Sequence, residues 1–569
     1  MKPLAAIVTP ALAPLARGHI LPLLLSALLA ATGCGNDAEP AGSDADAVVA
    51  GDGSASDALL VFEYSDATSD GNVAWKDSFA TLSTCTPPAG GFVAPKLEEQ
   101  KGTLRLLPSA VATPIGAVER VEIAAFGSDG KLDTKAAGQP ALVGETGLAV
   151  VEVGPMVEGV AVAKVRVDVA GPTKLTATLG ADTTSLSLHG YEAKLPLVEM
   201  KLSEANLAAI LAEPQEKIWV PAELSVDGTV YQAKARLHGG SSRYYDKESF
   251  RIDLEGGKKL PDGRRKLIYR AEYVDKTLLR NALALDFIRG ATPLPVSDDR
   301  FVHFRINERY WGVMHEVERV DRDFLAKRGL EPDGSLYEAD PPLEFSSPGG
   351  NFTPLPDLER YRTVYQHHAG PWEHDDLIVF IADFLQRPES EISADLDRVV
   401  AVDEILAYLA TMVVLQNQDM IRKNYYFYRP VAGADRRWRF IPWDLDITFG
   451  HLWTEENDIL DEDIFHDGEP LVGKNFGHPY YNELIDHIYT QPVLLARLRA
   501  FVQHLIDGPF RSEVLSPRID ALACQIGADL VIDPQKRAEN DELAQRAQEL
   551  KDYVAARRTW LQTWLNEAP

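Results

Sequence analysis

Residues 418–450, QDMIRKNYYFYRPVAGADRRWRFIPWDLDITFG, decide how the C-terminal part of the chain folds. The stretch contains two aromatic-rich runs, 424–429 and 437–443, separated by a segment rich in turn-forming residues. This pattern predicts two antiparallel β-strands joined by a loop. In such a hairpin the start of the first strand lies beside the end of the second. Side chains at these two points are therefore expected to lie close together.

Three oxygen-bearing side chains, two carboxylates and a carboxamide, would meet at this end of the hairpin. Asn424 opens the first strand and Asp444 follows the second. Asp419 lies just upstream of Asn424, and Asp446 lies just beyond Asp444. Carboxylate and amide oxygens are the ligands that Mg²⁺ prefers, and Mg²⁺ commonly accompanies phosphate groups. The sequence therefore predicts a Mg²⁺ site at this end of the hairpin.

A second set of candidate binding residues surrounds the glycine-rich loop at 238–247, HGGSSRYYDK. Glycines let backbone N–H groups approach an anion, and Ser241 and Ser242 add hydroxyl donors. Arg236 precedes the loop and Lys247 ends it, so both cations could converge on a polyphosphate. The alternative is a plain glycine-rich hairpin with a solvated lysine.

Glu318 lies among apolar neighbours in the run 313–320. A carboxylate on an apolar strand needs a partner, because burying an unpaired charge is costly. We expect Glu318 to pair with Lys247 and to hold that lysine against bound phosphates. The alternative is a surface ion pair with Arg319 or Arg322.

Together these features resemble the CotH-type kinases, a family known first as spore-coat proteins and distantly related to protein kinases. The resemblance covers residues 195–569, and its motifs occur in the expected order. One departure is Met314 and His315, where such proteins often carry an aromatic and an apolar residue, and it affects no catalytic position. The matching motifs are RLHGGSS at 236–242, KESFR at 247–251, LRN at 279–281, Gly312 through Glu318 to Phe324 and Leu325, DxxxxNYY from Asp419, PWDLD at 442–446 and FG at 449–450.

The resemblance implies an enzyme that transfers the γ-phosphoryl group of ATP to Ser or Thr hydroxyls of surface proteins, with Mg²⁺ or Mn²⁺ as cofactor. Phosphoryl transfer depends mainly on positioning and charge neutralisation. Asp419 would be the catalytic carboxylate and would act as general base on the acceptor hydroxyl. The other implied roles are metal ligands for Asn424 and Asp444, and nucleotide-phosphate contacts for Arg236 and Lys247. Asp446 could replace or assist Asp444 as a metal ligand, and spacing does not decide which of the two is the main one.

Two other functions stay open at this point. A non-catalytic surface scaffold or adhesion protein could keep the fold, and the scarcity of ATP outside the cytoplasm favours it. A metal-dependent phosphoester hydrolase would use the same carboxylates without a Lys247–Glu318 pair. The presence of Asp419, Asn424 and Asp444 together with Lys247 favours the kinase.

Residues 1–34 predict export and lipid attachment. Positively charged residues precede a short apolar run at 21–31, and small residues lie directly before Cys34. This pattern resembles a bacterial lipobox, at which the cysteine is lipidated and becomes the new N-terminus. The alternative is an ordinary cleaved signal in which Cys34 has no role. We expect an exported lipoprotein anchored to a bacterial membrane, at the outer membrane or cell surface.

The following residues predict a tether and a small β domain. Residues 35–57 are small, acidic and turn-forming, which indicates a disordered linker. Residues 58–193 contain short alternating runs such as 161–169, which predict an all-β sandwich that serves as a spacer or binds carbohydrate. With an atypical protein-kinase-like domain at 195–569, the predicted fold class is α+β.

Composition excludes one class of partner. The formal net charge of −28 over 569 residues argues against general nucleic-acid binding, which needs a basic surface. The expected partners are a nucleotide, a protein substrate at the cell surface and a membrane. Cys85 and Cys524 either form a disulfide between the two domains or are two buried free thiols.

Overall fold

The computed structural model describes residues 79, 85, 93–96, 100–342, 349–417, 419–451, 481–536 and 542–566. The predicted signal, the lipidation site at Cys34 and the predicted tether lie outside these residues. The described residues combine β-sheets with eleven α-helices, which confirms the mixed α+β class. None of the helices among them is both long and apolar enough to cross a membrane.

Two four-stranded sheets form residues 104–191, which we call the β module. Its strands are β1 (Leu104–Pro108), β2 (Ala112–Pro114), β3 (Val118–Ala125), β4 (Ala141–Gly144), β5 (Leu148–Val153), β6 (Val160–Val167), β7 (Gly171–Leu179) and β8 (Asp182–Tyr191). The strand orders are β1–β3–β6–β5 and β2–β8–β7–β4. Both sheets contribute to one apolar core, the first through residues such as Val165 and the second through residues such as Leu188. Burial alternates strictly along β6, because successive side chains of a strand point to opposite faces.

The next part of the chain forms a closed barrel of seven strands. They are β9 (Leu197–Lys201), β10 (Val220–Val226), β11 (Thr229–His238), β12 (Ser249–Leu254), β13 (Lys266–Arg270), β14 (Asp299–Ile306) and β15 (Arg309–Glu318). Their order is β10–β11–β12–β13–β15–β14–β9, with β9 parallel to β14. Ala235 and Leu237 of β11 belong to the apolar interior, so Arg236 and His238 lie on the outer face.

A four-stranded sheet follows the barrel and contains the predicted hairpin. Its strands are β16 (Ser335–Ala339), β17 (Tyr365–Ala369), β18 (Tyr425–Arg429) and β19 (Arg439–Pro442), in the order β17–β16–β18–β19. Tyr425 lies opposite Pro442 in an antiparallel pair, which confirms the hairpin. Every residue of β18 is buried, and Phe427 stacks on Trp438 with ring centroids 4.7 Å apart. These contacts fix the register, because a slip of one residue would turn the buried rings to the other face.

The helices of the described residues surround these sheets. They are α1 (Glu204–Ala212), α2 (Arg280–Ala291), α3 (Arg322–Lys327), α4 (Leu358–Val364), α5 (Asp375–Ile378), α6 (Glu389–Val399), α7 (Val402–Leu415), α8 (Glu483–Thr490), α9 (Pro492–Asp507), α10 (Ser512–Leu530) and α11 (Glu542–Asn566). Helix α7 is buried along almost its whole length and leads directly into the hairpin. It therefore forms the apolar support beneath β18 and β19, through contacts such as the stacking of Tyr408 on Phe440.

Buried polar contacts attach the β module to the barrel and to α10. Arg305 of β14 pairs with Glu119 of β3, with Nη2 and Oε2 3.1 Å apart. Asp529 of α10 accepts a hydrogen bond from Tyr191 of β8 at 2.6 Å and lies 2.8 Å from Nδ1 of His303. Separating these parts would leave buried charges without partners, which is strongly unfavourable.

A disulfide bond joins Cys85 to Cys524 of α10, with Cα atoms 6.0 Å apart. The two cysteines are therefore bonded to each other and are not free thiols. The bond ties a segment that precedes the β module to a helix packed against the barrel strand β15.

Lys247 lies in a buried ion pair that differs from the predicted one. Its Nζ atom lies 2.7 Å from Oδ2 of Asp533 and donates to the carbonyl oxygen of Val313, also at 2.7 Å. Glu318 lies on the same strand as Val313 and pairs instead with Arg328, at 2.6 Å. The predicted Lys247–Glu318 pair is wrong. Lys247 contacts Val313, and Glu318 lies five residues further along the same extended strand, roughly 16 Å from Val313.

The surroundings of Lys247 also argue against its predicted contact with phosphate. The Lys247 and Asp533 side chains are only 1% and 0% exposed. Asp533 accepts a second hydrogen bond from the N–H of Val313 at 2.9 Å. Gly312 has a φ of 137°, and a Cβ at this position would overlap the Asp533 carboxylate. Lys247 is thus enclosed by its own partners and connects the barrel to the segment after α10.

We expect Lys247→Met to lower the free energy of unfolding by about 3–5 kcal/mol, because it leaves the Asp533 carboxylate buried and unpaired. Lys259→Met is the matched control, since Lys259 is 47% exposed and pairs with Asp323 at 2.8 Å. Loss of such an exposed pair changes stability by about 0–1 kcal/mol. Chemical denaturation measures both variants.

Double variants distinguish the observed pair from the predicted one. Lys247→Met combined with Asp533→Leu should destabilise the chain by less than the sum of the two single changes. Lys247→Met combined with Glu318→Gln should be additive. Strong coupling between Lys247 and Glu318 would contradict the structure.

Candidate active site

One end of the β16–β18–β19 sheet carries the candidate active site. The last residue of β16, the first of β18 and the last of β19 lie side by side. Asp340, Asn424 and Asp444 continue the three strands at this end, and the N–H of Asn424 donates to the carbonyl oxygen of Ala339 at 2.9 Å. Asn424 and Asp444 have φ values of 62° and 56°. This left-handed conformation is uncommon outside glycine and is concentrated at functional sites.

Asp419 is held by two neighbours from its own loop. The Nδ2 atom of Asn424 donates to Oδ2 of Asp419 at 2.7 Å, and Nζ of Lys423 lies 3.0 Å from the same oxygen. Burial raises the pKa of Asp419, and the ammonium group of Lys423 opposes this shift. Both of these contacts are made to Oδ2 and neither to Oδ1.

Arg270, the last residue of β13, brings the other two predicted carboxylates together. Its Nη2 atom lies 2.5 Å from Oδ1 of Asp444 and 3.0 Å from Oδ2 of Asp446. Burial and the adjacent Asp444 carboxylate raise the pKa of Asp446 well above its ordinary value. The two carboxylates therefore converge closely enough to repel each other, and the guanidinium group lies between them.

A buried network fixes Arg270 through its Nε atom. The Nε atom of Arg270 lies 3.0 Å from Oε1 of Glu272. Glu272 also accepts from Nδ2 of Asn281 at 2.8 Å and contacts Nδ1 of His315 at 3.0 Å. Asn281 in turn accepts a hydrogen bond from the N–H of Leu445, at 3.3 Å. The same network thus holds Arg270 and the loop between the two aspartates.

His315 carries a positive charge within this network. Its Nε2 atom lies 2.9 Å from Oδ2 of Asp299, so both ring nitrogens face carboxylates and both must donate. Burial lowers the pKa of His315, but the hydrogen bonds to Asp299 and Glu272 outweigh it and raise the pKa to about 9. Burial likewise raises the pKa of Glu272, whereas Arg270 and His315 lower it to about 2.

The outer face of the barrel next to Arg270 is basic. The guanidinium carbons of Arg236 and Arg251 lie 5.2 and 5.1 Å from the ring centroid of Trp219. Desolvation lowers the pKa of His238 well below its usual value, and the charges of Arg236 and Arg270 lower it further. Arg236 therefore belongs to the same positively charged surface as Arg270, which faces the acidic end of the sheet.

Most of the predicted site residues lie at the sheet end or on the barrel surface that faces it, and two of them, Lys247 and Glu318, do not. Asp419, Asn424, Asp444 and Asp446 lie at one sheet end, as their spacing predicted. Arg236 lies on the facing barrel surface, and a 3₁₀ turn, Ser241–Tyr244, contains Ser241 and Ser242. Lys247 and Glu318 each belong to other ion pairs.

Sequence reasoning missed Arg270 and Lys423. Lys423 carried a usable signal, because it immediately precedes Asn424 within the acidic motif. The sequence signal for Arg270 was weaker. Arg270 is a charged residue at the end of an apolar strand, and Glu272 follows two positions later. Nothing in the linear sequence connects Arg270 to Asp446, which is 176 residues away.

The donor set at the sheet end fits a hard divalent cation. Among the described residues, no group of three or more His, Cys, Asp and Glu side chains is arranged to hold a metal by itself. Mg²⁺, however, usually takes only one or two carboxylates and completes its shell with water and substrate phosphates. Asp444 and Asp446 are 28% and 19% exposed, which leaves them open to water. Asn424 supplies a neighbouring amide oxygen.

Comparison with known proteins identifies the family. Residues 235–561 match the family model described as CotH kinase protein. The chain belongs to the CotH kinase protein family. It is 26% identical over 385 residues to the inner spore coat protein H of Bacillus subtilis (strain 168), an alignment that spans 66% of this chain and 99% of that protein. The CotH resemblance predicted from the motifs is therefore confirmed.

One solved structure with detectable similarity is a chain of the Shewanella oneidensis MR-1 toxin–antitoxin complex of HipA, HipB and operator DNA. The match covers 68% of this chain and 79% of that chain, at 11% sequence identity and a TM-score of 0.25. A TM-score this low supports no conclusion about the CotH domain.

The charge of His315 predicts a pH-dependent effect on stability. A pKa raised from 6.5 to about 9 stabilises the folded state fully below pH 6.5, and this contribution is lost as the pH rises through about 9. We expect His315→Gln to lower the free energy of unfolding by on the order of 3 kcal/mol near pH 6, with a much smaller effect near pH 10. Denaturant unfolding at both pH values measures the difference.

His487→Gln is the matched control, because His487 pairs with the exposed carboxylate of Glu389. Its effect should stay below about 1 kcal/mol at either pH. An effect of His315→Gln that is equal near pH 6 and pH 10 would show that His315 is not charged in the folded protein.

Proposed function

We propose that this CotH-family protein is a kinase-like phosphotransferase that moves the γ-phosphoryl group of ATP to Ser or Thr hydroxyls of surface proteins. The observation that carries the proposal is the convergence of Asp419 and Asn424 with Asp444 and Asp446 at one sheet end. The basic barrel surface that faces them supplies complementary charge. Membership of the CotH kinase protein family supports the same reaction class.

In this proposal Asp419 acts on the acceptor hydroxyl. Asn424 and Lys423 hold Oδ2, which orients Oδ1 toward the substrate. The raised pKa of Asp419 makes it a better proton acceptor than an ordinary aspartate, provided that it is ionised. The carboxylate would orient the hydroxyl and accept its proton during transfer.

Asn424, Asp444 and Asp446 would hold Mg²⁺ or Mn²⁺. When bound, such a cation would neutralise the charge of the ATP phosphates. The partial exposure of both aspartates leaves room for water and phosphate oxygens beside them. Their convergence favours joint binding by Asp444 and Asp446 over binding by one of them alone.

The phosphates of ATP would contact the basic surface of the barrel. Arg236 lies on this surface, and the turn with Ser241 and Ser242 follows the end of the same strand. Arg270 would take over the role predicted for Lys247, because Arg270 contacts Asp444 and Asp446. Lys247 would contribute only indirectly, by holding Val313 and the barrel in place.

A non-catalytic surface scaffold is the second candidate. The B. subtilis relative is named as an inner spore coat protein, a name that describes a structural component. A scaffold could preserve the fold and its ion pairs without transferring phosphate. The two candidates differ in whether the purified chain turns over ATP.

We propose that the protein is exported and lipid-anchored at Cys34. The lipobox-like sequence supports this location, and the Cys85–Cys524 disulfide agrees with an oxidising compartment. We expect the wild-type chain to partition with membranes and Cys34→Ala to move to the soluble fraction, because the lipid would be lost. Fractionation with detergent extraction measures the shift. Equal partition of both proteins would exclude the lipid anchor.

The proposed roles predict different defects for two aspartates. We expect Asp419→Ala to bind ATP as the wild type does and to lose at least about 10²-fold in transfer rate, because it removes the general base. Asp444→Ala should weaken ATP binding in the presence of Mn²⁺ as well as transfer. Calorimetric titration and transfer of labelled phosphate from ATP measure the two properties.

Asp435→Ala is the matched control, because Asp435 lies in the loop at the opposite end of the same hairpin and pairs with Arg437. It should leave ATP binding and transfer unchanged. Loss of ATP binding by Asp419→Ala with normal binding by Asp444→Ala would overturn the assigned roles. Absence of transfer by the wild-type chain with any protein acceptor would favour the scaffold.

A further inference from the structure

We propose that Arg270 is an internal counter-ion that competes with the divalent cation for Asp444 and Asp446. It holds the two carboxylates together in the metal-free protein and releases them when a cation and nucleotide bind. This inference rests on the proposed function, because it concerns the carboxylates that were proposed there as metal ligands.

The contact geometry makes Arg270 and a bridging cation mutually exclusive. A single nitrogen, Nη2, lies 2.5 Å from the Asp444 carboxylate and 3.0 Å from the Asp446 carboxylate. A cation held by both carboxylates would compete with this nitrogen for the same two oxygens. Two carboxylates this close also repel each other unless a positive group lies between them. Arg270 therefore supplies in the metal-free protein the charge that a metal would otherwise supply.

Arg270 has a second anchor that would survive the exchange. Its Nε atom contacts Glu272 at 3.0 Å, and Glu272 is fixed by Asn281 and His315. Release of Asp444 and Asp446 would thus leave the guanidinium group paired with Glu272 through Nε. The Nη2 group would then be able to donate to a phosphate oxygen, which is a partner that suits a guanidinium group.

The cluster of Arg270 with Asp444 and Asp446 is more exposed to solvent than the buried Lys247–Asp533 pair. The side chains of Arg270, Asp444 and Asp446 are 12%, 28% and 19% exposed. Those of Lys247 and Asp533 are only 1% and 0% exposed. Solutes can reach the first cluster and not the second, so partner exchange is possible at Arg270 and not at Lys247.

Titration of the full chain with MnCl₂ alone, without nucleotide, tests the proposal by calorimetry. We expect Arg270→Gln to bind Mn²⁺ about tenfold or more tightly than the wild type, because it removes a competing positive charge from the ligands. Asp446→Asn should bind Mn²⁺ more weakly. Arg437→Gln is the matched control, since Arg437 is 16% exposed and pairs with Asp435 at the far end of the same hairpin. It should bind Mn²⁺ as the wild type does.

A second variant keeps the proposal testable if Arg270→Gln does not fold. Arg270→Gln removes one of the cations that pair with the buried Glu272 carboxylate. Arg270→Lys keeps a charge beside Glu272, but a single ammonium group cannot reproduce the fork that joins Glu272 to both aspartates. We expect Arg270→Lys to bind Mn²⁺ about threefold more tightly than the wild type. At saturating Mn²⁺, both variants should bind ATP more weakly than the wild type, because the phosphate contact is lost.

The outcomes distinguish this inference from the proposed function. Unchanged or weaker Mn²⁺ binding by folded Arg270→Lys and Arg270→Gln would overturn the counter-ion role alone and leave the metal site in place. Absence of Mn²⁺ binding by the wild type and by both folded Arg270 variants would overturn both the metal site and the role of Arg270. Tighter Mn²⁺ binding in a chain that transfers no phosphate would support the counter-ion and contradict only the phosphotransferase.

Discussion

The antiparallel register between β18 and β19 is the constraint on which the candidate site depends. Asn424 and Asp444 meet only because Tyr425 lies opposite Pro442. The register is held by aromatic rings buried on both faces of the sheet, such as Phe427 stacked on Trp438. The left-handed backbone at Asn424 and Asp444 is tolerated because these buried strands fix the chain on one side of each residue. The polar side chains at the sheet end are thus held in position by buried aromatic side chains.

Charge balance is the second requirement, and the barrel meets it. An acidic cluster in a chain of net charge −28 needs nearby cations to remain compact. The strand order places β13 beside β15, so that Arg270 pairs in register with His315. Because both cations share Glu272, the barrel holds the guanidinium group of Arg270 in a fixed position beside the hairpin. The closed sheet therefore has a second role besides forming a core. Arg270 on its outer face allows the carboxylates of Asp444 and Asp446 to lie close together.

The parts of this structure that could be predicted from sequence are those set by neighbouring residues. Asn424 and Asp419 are five residues apart, and hairpin geometry alone brings them near Asp444. Lys247 and Asp533 are 286 residues apart, and no periodicity links them. With 85 acidic residues in the chain, spacing cannot choose the partner of one lysine. The CotH resemblance implies roles for the motif residues but does not indicate the long-range contacts around them.

Lys247 and Arg270 show how burial decides what an ion pair can do. Breaking a fully buried pair leaves a charge stranded in an apolar surrounding, at a cost of about 3–5 kcal/mol. Lys247 therefore keeps Asp533 permanently and serves to join the barrel to the segment after α10. Arg270 is partly exposed and has three carboxylate neighbours, so that it can lose two of them without being left unpaired. A cation that must exchange partners during function has to lie where water can reach it, and in this protein that condition is met by Arg270.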